Sequence, residues 1–341
     1  VLCRCTGYRK IVDAILHVGD TAEANIVEPA VGEAVGARAA KLDGKQKITG
    51  TELYGADQAP TDALWLRAVR SPYWRATFSL DDFEPLKAKY PGLVDILTAD
   101  DVPGLNGFGI YPDVKDQPVL ADGFVRYRGE AVIALVGDAA TIAEIRDDEL
   151  PISWQEQDPV QGFGPPVADE APQLHDDYPG NILAHGTTLK GDTENGFANS
   201  TAIFEQSFAT GFVEHGYLEP EAGWARRIGD RIEVTVTTQS PYMDRDEVAI
   251  IMGLAPEDVR IIPTACGGGF GGKLDQTVQP LVAIAAWKLN RPVRCTFNRL
   301  ESMAATTKRH PSRITTRYGC ADDGKLQAYE FNGDFNTGAY I

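Results

Sequence analysis

The chain has 341 residues, 43% of them hydrophobic, and carries a formal net charge of −17 at pH 7. This length allows a sizeable buried core and more than one domain. The acidic balance argues against nucleic acid or an anionic membrane as a partner, because both recruit basic patches. No apolar run approaches the roughly 20 residues that span a bilayer, which predicts no membrane span. The five cysteines indicate metal ligands or free thiols in a reducing compartment, so we expect a cytoplasmic protein.

Two cysteines, Cys3 and Cys5, stand one residue apart near the start of the chain. In an extended segment alternate side chains point the same way, so two thiolates at this spacing can reach one iron or two neighbouring ones. A cluster needs four ligands, and the other cysteines belong to other predicted elements, so the remaining ligands are expected elsewhere in the protein. The alternative is two unrelated thiols. A helix capped by Thr6 is predicted next from apolar residues at helical spacing, namely Ile11, Val12, Ile15 and Leu16.

The composition from residue 19 to 45 is rich in Ala, Gly and Glu and lacks aromatic residues, which is typical of a linker. Residues 46–156 alternate short β-prone runs with turn signals and predict an α+β domain. A helix is predicted over Ala139 to Leu150 with a cap near Thr141. The predicted strands are Leu64 to Arg70, Val94 to Leu97, Val125 to Arg128, Val132 to Val136 and Ile152 to Trp154.

The second half begins with a Pro-, Gly- and Asp-rich connection to about residue 200, and residues 157–341 are predicted to form another α+β domain. Ser240 and Pro241 mark a helix start, and Gly253 suits its end. A strand over Ile232 to Thr238 is expected to be half-buried, because apolar and polar residues alternate. Further predictions are strands Val259 to Pro263 and Val293 to Phe297, helix Pro280 to Leu289, and a hairpin of Ser312 to Gly319 with Leu326 to Asn332 around Gly324.

Five glycines surround one aromatic residue in the segment Cys266-Gly-Gly-Gly-Phe270-Gly-Gly-Lys273. Glycine permits positive φ and close approach of a ligand to the backbone. Two functions are compatible with such a loop, a phosphate cradle or a cofactor shelf built from backbone amides. The spacing matches a P-loop until the next position, where a Ser or Thr should meet Mg²⁺. Leu274 stands there and cannot bind a metal, which favours the cofactor shelf.

Together these motifs resemble the molybdenum hydroxylases, the family of xanthine dehydrogenases and aldehyde oxidoreductases. Cys3 to Tyr8 is similar to the end of their second [2Fe–2S] domain, and Gly267 to Lys273 is similar to their molybdopterin-binding loop. The resemblance implies that residues 1–18 end a [2Fe–2S] domain and that 46–156 form a hammerhead-like domain. The similar motifs between the two ends are Lys47 to Gly50, Arg70 to Pro72, Val125 to Gly129, Val213 to Pro220 and Thr237 to Pro241.

The resemblance also implies roles for individual residues. Cys3 and Cys5 match cluster ligands, Gln239 matches a residue that hydrogen-bonds a terminal ligand of the molybdenum, and Leu274 replaces a glutamate that binds purine rings in some members. A Gln that satisfies a strand end and a Phe that packs in the interior are the alternatives. Lys273 either neutralises cofactor charge or lies in solvent. The implied cofactor-binding residues are Gln239, Gly268, Gly269, Phe270, Gly271 and Gly272.

Other polar residues receive structural interpretations. His215 and Glu219 share the spacing of one helical face, but Pro220 and a β-like sequence follow, so we expect a buried pair or a substrate-funnel contact rather than a metal site. Arg126 and Arg128 beside Glu130 are interpreted as exposed strand charges. Small buried side chains are predicted at Cys266, Cys295 and Cys320.

The implied activity is hydroxylation of an aldehyde or aromatic heterocycle with water as the oxygen source. The expected cofactors are molybdenum-molybdopterin, with a cytosine dinucleotide form as one option, and [2Fe–2S] clusters. We expect a small-molecule substrate, an electron acceptor or FAD subunit, and an oligomer. The general-base glutamate is expected beyond residue 341 of a longer protein, and export of the folded enzyme to the periplasm is the alternative location. A reductive enzyme similar to 4-hydroxybenzoyl-CoA reductase and a non-catalytic binding or assembly module are the alternative functions.

Overall fold

The computed structural model describes residues 4–19, 28–37, 41–163 and 171–340. The chain divides into two compact units, Val1–Tyr54 and Gly55–Ile341. The first unit contains helix α1 (Arg4–Leu16) and helix α2 (Gly44–Thr49). The predicted first helix is confirmed, but Thr6 does not cap it, because the helix already begins at Arg4.

The second unit is α+β, as predicted. Its helices are α3 (Glu84–Lys89), α4 (Ala139–Glu144), α5 (Thr193–Ala198), α6 (Pro241–Met252), α7 (Gln279–Leu289) and α8 (Arg299–Ala305). Its strands are β1 (Leu64–Arg70), β2 (Ala76–Leu80), β3 (Leu93–Leu97), β4 (Phe124–Val125), β5 (Ala131–Gly137), β6 (Ile152–Glu156), β7 (Ala202–Thr210), β8 (Ala222–Ile228), β9 (Arg231–Val236), β10 (Val259–Pro263), β11 (Val293–Thr296), β12 (Ser312–Cys320) and β13 (Leu326–Phe335).

A seven-stranded mixed sheet forms the centre of this unit, in the order β10-β9-β8-β11-β1-β5-β3. It takes strands from both sides of residue 157, and β1 runs parallel to β11 with Leu64 opposite Val293. Helix α7 packs against β8, β9 and β11. Every residue of this helix from Gln279 to Ala286 is buried, which is typical of a helix enclosed in a core rather than lying on a surface.

Two three-stranded sheets complete the unit, β13-β12-β7 and β4-β2-β6. The predicted hairpin of β12 and β13 is confirmed, and Gly324 in its turn has a φ of 80°. Strands β2 and β7 were not predicted, and β8 was indicated only as a β-like sequence after Pro220, without bounds. The alternation in β7 is irregular, and β8 carries a glycine and two consecutive arginines, so neither shows the period of two that identifies a strand.

Three local predictions need correction. Helix α4 ends at Glu144 rather than at residue 150, and a 3₁₀ turn (Asp147–Glu149) follows it. Its cap is Asp138, whose side chain accepts a hydrogen bond from the Thr141 N–H at 3.0 Å. Ser240 occupies the N-cap position of α6 but makes no capping hydrogen bond through its side chain, whereas Gly253 ends this helix with a φ of 64°, as predicted.

Strand β9 is buried on both faces rather than half-buried, because it lies inside the sheet between β8 and β10 and is covered by α7. The polar Glu233 within it accepts hydrogen bonds from Arg226 at 2.8 Å and from Arg260 at 3.0 Å. Paired charges of this kind make burial of a carboxylate tolerable. The alternating polar residues therefore mark ion pairs and hydrogen bonds, not a solvent-facing side.

Candidate cofactor-binding site

The glycine-rich loop and Gln239 meet at one edge of the central sheet. Strands β9 and β10 are parallel neighbours with Val236 opposite Pro263, so their carboxyl ends lie side by side. Gln239 follows the first strand and the loop follows the second. In open sheets with parallel strands this edge is the usual place for ligands.

The Gln239 side chain is tied to the loop by its oxygen. Oε1 accepts hydrogen bonds from the Gly271 N–H at 3.0 Å and the Lys273 N–H at 3.3 Å, and the Gln239 N–H donates to the Lys273 carbonyl at 3.0 Å. Within the described residues the Nε2 group makes no hydrogen bond. The exposed amide therefore presents two free donors beside the loop.

The loop approaches its neighbours so closely that several of its positions admit only glycine. A Cβ atom at Gly269 would lie 2.4 Å from Oε1 of Gln239, and one at Gly267 would lie 2.5 Å from Cβ of Glu219. Gly268 and Gly271 have φ angles of 107° and 94°, in the region that glycine adopts without strain. The glycines thus let the loop follow the Gln239 side chain and the strand ends.

Phe270 has its side chain exposed to solvent rather than packed in the interior. Its side chain is 61% exposed and its φ is 52°, a left-handed conformation that is uncommon for a bulky residue and clusters at functional sites. The interpretation as interior packing is therefore wrong. In the described part of the chain, no acceptor is present for the backbone N–H groups of Gly268, Gly269 and Phe270.

Lys273 is one of the most buried charged groups in the unit, with 2% of its side chain exposed. Its ammonium group donates to Oε2 of Glu219 at 3.1 Å. The expectation that it lies in solvent is wrong. Burial with an ion-pair partner also distinguishes it from a P-loop lysine, which must reach the phosphates of a nucleotide.

His215 and Glu219 do not share a helical face, because residues 211–220 form no helix. Glu219 is instead a largely buried hydrogen-bond centre, and His215 lies against the loop, where its Nδ1 would be 2.8 Å from a Cβ at Gly272. Tyr217 lies beneath the same loop, 1% exposed, and its hydroxyl donates to Glu221. Among the described side chains, no three His, Cys, Asp or Glu residues converge on a metal position. Glu219 is therefore largely buried as expected, but its ion-pair partner is Lys273 rather than His215.

Leu274, the predicted substrate position, follows directly on the loop and is 37% exposed. Behind it, Asp244 of α6 is completely buried and accepts a hydrogen bond from Nε2 of Gln276 at 3.0 Å. Its Oδ2 has no partner in the described structure. Burial raises the pKa of Asp244 to about 6, although hydrogen bonds to the carboxylate partly oppose this shift.

This buried carboxyl predicts a specific dependence of stability on pH. Because the folded pKa of about 6 exceeds the ordinary value of 3.8, the folded state binds the proton more tightly, and the free energy of unfolding falls as pH rises from 4 to 6. Asp244→Asn cannot ionise. We therefore expect the free energy of unfolding of this variant, relative to that of the wild type, to rise by about 2.4 kcal/mol between pH 4 and pH 7.5. Urea unfolding of both proteins at both pH values measures this change. The same difference in unfolding free energy between variant and wild type at pH 4 and pH 7.5 would contradict the prediction.

The arginines near Glu130 differ from one another. Arg128 is exposed as predicted, whereas Glu130 is 1% exposed and accepts hydrogen bonds from the Arg126 N–H and the Tyr340 hydroxyl. Burial raises the pKa of Glu130. The Arg126 side chain is half-buried and donates to the Leu174 carbonyl at 3.1 Å, so the interpretation of Glu130 and Arg126 as exposed strand charges is wrong.

The cysteine predictions have mixed outcomes. Cys295 is buried, as expected, and burial raises the pKa of its thiol to about 12, whereas Cys266 and Cys320 are only half-buried. Cys3 lies outside the described residues, and Cys5 lies in helix α1 rather than in the extended segment expected for the pair. Their role as cluster ligands stays a prediction.

Comparison with known proteins agrees with this geometry. The family model for the molybdopterin cofactor-binding domain matches residues 174–341, and that for the a/b hammerhead domain of aldehyde oxidase and xanthine dehydrogenase matches residues 49–158. The chain is 35% identical over 300 residues to a probable subunit of a Bacillus subtilis xanthine dehydrogenase, with 87% of this chain and 40% of the relative covered. It is 31% identical over 309 residues to the nicotinate dehydrogenase large molybdopterin subunit of Eubacterium barkeri, with 90% and 72% covered.

The solved structure of the aldehyde oxidoreductase from Desulfovibrio gigas superposes with a TM-score of 0.85 at 26% identity, over 97% of this chain and 38% of that one. The fold and the matched domain models therefore define a protein of the molybdopterin-binding class. The chain belongs to the molybdenum hydroxylase family, the xanthine dehydrogenases and aldehyde oxidoreductases. It spans about two fifths of the length of the Bacillus and Desulfovibrio relatives. None of the helices in the described ranges has the length and hydrophobicity needed to cross a bilayer.

Proposed function

We propose that this chain is part of a molybdenum-dependent oxidoreductase that hydroxylates an aldehyde or an aromatic heterocycle, with water as the oxygen source and electrons passing to iron–sulfur clusters. One observation carries the proposal. The free amide donors of Gln239 and the unpaired N–H groups of Gly268, Gly269 and Phe270 lie together at one sheet edge, in and beside a glycine-rich loop with close contacts and positive φ angles. Nicotinate dehydrogenase and aldehyde oxidoreductase are named among the relatives, which supports the substrate classes.

The hydrogen-bond donors of Gln239 and the loop match the acceptor groups of a molybdopterin cofactor. Oxygen ligands on a metal and the polar edge of a pterin are hydrogen-bond acceptors, and the loop offers backbone donors without an intervening side chain. Gln239 would donate from Nε2 to a terminal ligand of the molybdenum, and Gly268 to Gly272 would hold the ligands and the pterin. When bound, the cofactor supplies the redox chemistry, while the protein supplies position and electrostatics.

The remaining parts of the proposed enzyme follow from the same family. Cys3 and Cys5 would bind a [2Fe–2S] cluster together with ligands from outside this chain. A cytosine dinucleotide form of the molybdopterin is one option for the cofactor. An electron acceptor or FAD subunit and an oligomeric assembly complete the proposal. We assign no carboxylate of this chain as the general base, and we place the enzyme in the cytoplasm, with export as the alternative.

Leu274 directs the choice of substrate. A site without a carboxylate at this position leaves polar atoms of a purine unpaired, which lowers kcat/KM for purines. We therefore expect the enzyme to oxidise aldehydes or nitrogen heterocycles with a higher kcat/KM than xanthine. Leu274→Glu should raise kcat/KM for xanthine relative to the preferred substrate by about tenfold or more. Steady-state kinetics of both enzymes on a panel of aldehydes, heterocycles and xanthine measure this.

Leu300→Glu serves as the matched control, because Leu300 is an exposed leucine of α8 outside the loop. It should leave the ratio of kcat/KM values unchanged. A wild-type enzyme that oxidises xanthine as efficiently as aldehydes and heterocycles would show that the substrate assignment is wrong.

A further inference from the structure

We infer that Glu219 and Lys273 form a positioning ion pair that holds both ends of the glycine-rich loop, and that Lys273 makes no contact with the cofactor. The inference rests on the proposed function only in that the loop is taken as the cofactor-binding surface. Its basis is the geometry of the two side chains beneath the loop.

The ammonium group of Lys273 has no donor left for a ligand. It donates to the Glu219 carbonyl at 2.9 Å, to Oε2 of Glu219 at 3.1 Å and to Oγ1 of Thr237 at 3.3 Å. A lysine has three N–H donors, and these three acceptors account for all of them. The Nζ atom also lies 4.7 Å from the centre of the Tyr217 ring, so the side facing the ring is closed as well.

The carboxylate of Glu219 joins the first residues of the loop to the last. Oε2 accepts hydrogen bonds from the Gly267 N–H at 2.6 Å and from the Thr237 hydroxyl at 2.9 Å, in addition to the ion pair with Lys273. Oε1 accepts from the Gly55 N–H at 3.2 Å. Oε2 thus carries three donors and Oε1 one, so each carboxylate oxygen has a partner inside the protein. Gly267 and Lys273, at the two ends of the loop, are thereby fixed to one largely buried group.

This arrangement separates two tasks that a single lysine performs in a phosphate-binding loop. The ion pair is internally neutral and sets the loop conformation, whereas attraction for an anionic ligand comes from backbone N–H groups. Removing one member of a buried pair leaves an uncompensated charge, but replacing both with neutral side chains does not. A positioning pair and a direct cofactor contact therefore predict different results for the double variant.

The test uses the full-length enzyme, purified cofactor-free, and hydrogen exchange of peptides that cover residues 265–274. The reporting amides are those of Gly267, Gly271, Gly272 and Lys273, which donate hydrogen bonds within the site. We expect Glu219→Gln and Lys273→Met each to accelerate their exchange by about tenfold or more, and the double variant to return to within about threefold of wild type.

Lys115→Met is the matched control, because it breaks the similarly buried Lys115–Glu247 pair, which makes no hydrogen bond to the loop. It should leave loop exchange unchanged. The molybdenum content of the same variants purified with cofactor gives a second readout, in which the double variant should retain more molybdenum than Lys273→Met.

Two results would overturn the inference. One is unchanged loop exchange in Lys273→Met together with a lower molybdenum content, which would make Lys273 a direct cofactor contact. The other is a double variant whose loop exchanges at least as fast as that of either single variant. The exchange measurement needs no cofactor. A wild-type enzyme without molybdenum would therefore refute the proposed function, whereas the hydrogen-exchange result would still decide whether Glu219 and Lys273 position the loop.

Discussion

Gly269→Ala should abolish most of the activity while leaving the protein folded. The new Cβ would lie 2.4 Å from Oε1 and 2.6 Å from Cδ of Gln239, so the amide must move away. It would then lose the N–H groups of Gly271 and Lys273, and its free Nε2 donor would leave its position. A displacement of about 1 Å in a positioning group costs on the order of 10²-fold in rate, and we expect kcat/KM to fall by that factor.

Gly186→Ala is the control for this variant, because a Cβ there meets nothing within 4 Å. It should retain wild-type kcat/KM and molybdenum content. The two hydrogen bonds lost in Gly269→Ala are worth about 1 kcal/mol each, so thermal unfolding should show only a modest loss of stability. Wild-type activity in Gly269→Ala would show that Gln239 need not hold its observed position.

Ile284→Ala should give a large loss of stability. Ile284 is 1% exposed and lies in the middle of α7, where no face of the helix reaches solvent between Gln279 and Ala286. Removing a side chain of this size from a closed core leaves a cavity and costs about 2–5 kcal/mol of unfolding free energy. Equilibrium urea unfolding measures this difference.

Leu300→Ala provides the comparison, because Leu300 is 80% exposed on α8. Its effect on the free energy of unfolding should stay within about 0.5 kcal/mol. Equal effects of the two substitutions would contradict the description of α7 as the centre of the core.

The sequence contains enough local information to identify the parts of the candidate site that we propose to face a ligand. The glycines of the loop, the strand before it and the apolar helix after it are all local signals, and parallel strand ends bring Gln239 to the same edge. The structure confirms that Gln239 and the loop meet. Their proposed roles toward a cofactor stay predictions, because contact with one another is not contact with a ligand.

The supporting residues beneath the loop could not be predicted in this way. Glu219 and Lys273 stand 54 positions apart, and nothing in their neighbouring residues indicates that they pair. The buried Asp244 was missed because a polar residue in the first turn of a helix ordinarily faces solvent. Only the tertiary packing of α6 against α7 places it in the interior, where its charge is unfavourable.

At Phe270, the residue type alone favours interior packing, which was the alternative to the cofactor-binding role implied by the resemblance. A phenylalanine is by composition a core residue, yet glycines on both sides let the backbone turn through a left-handed conformation and expose the ring. An exposed aromatic ring on a left-handed backbone departs from the usual local preferences of phenylalanine. Departures of this kind are expected at functional sites.

The most direct test of the central claim is the molybdenum, iron and pterin content, per polypeptide, of the full-length enzyme purified from its native host without chelators. We predict near-stoichiometric molybdenum and pterin together with several irons. Iron without molybdenum would leave a role for Cys3 and Cys5 and would contradict the assignment of Gln239, Phe270 and Gly271 to the cofactor.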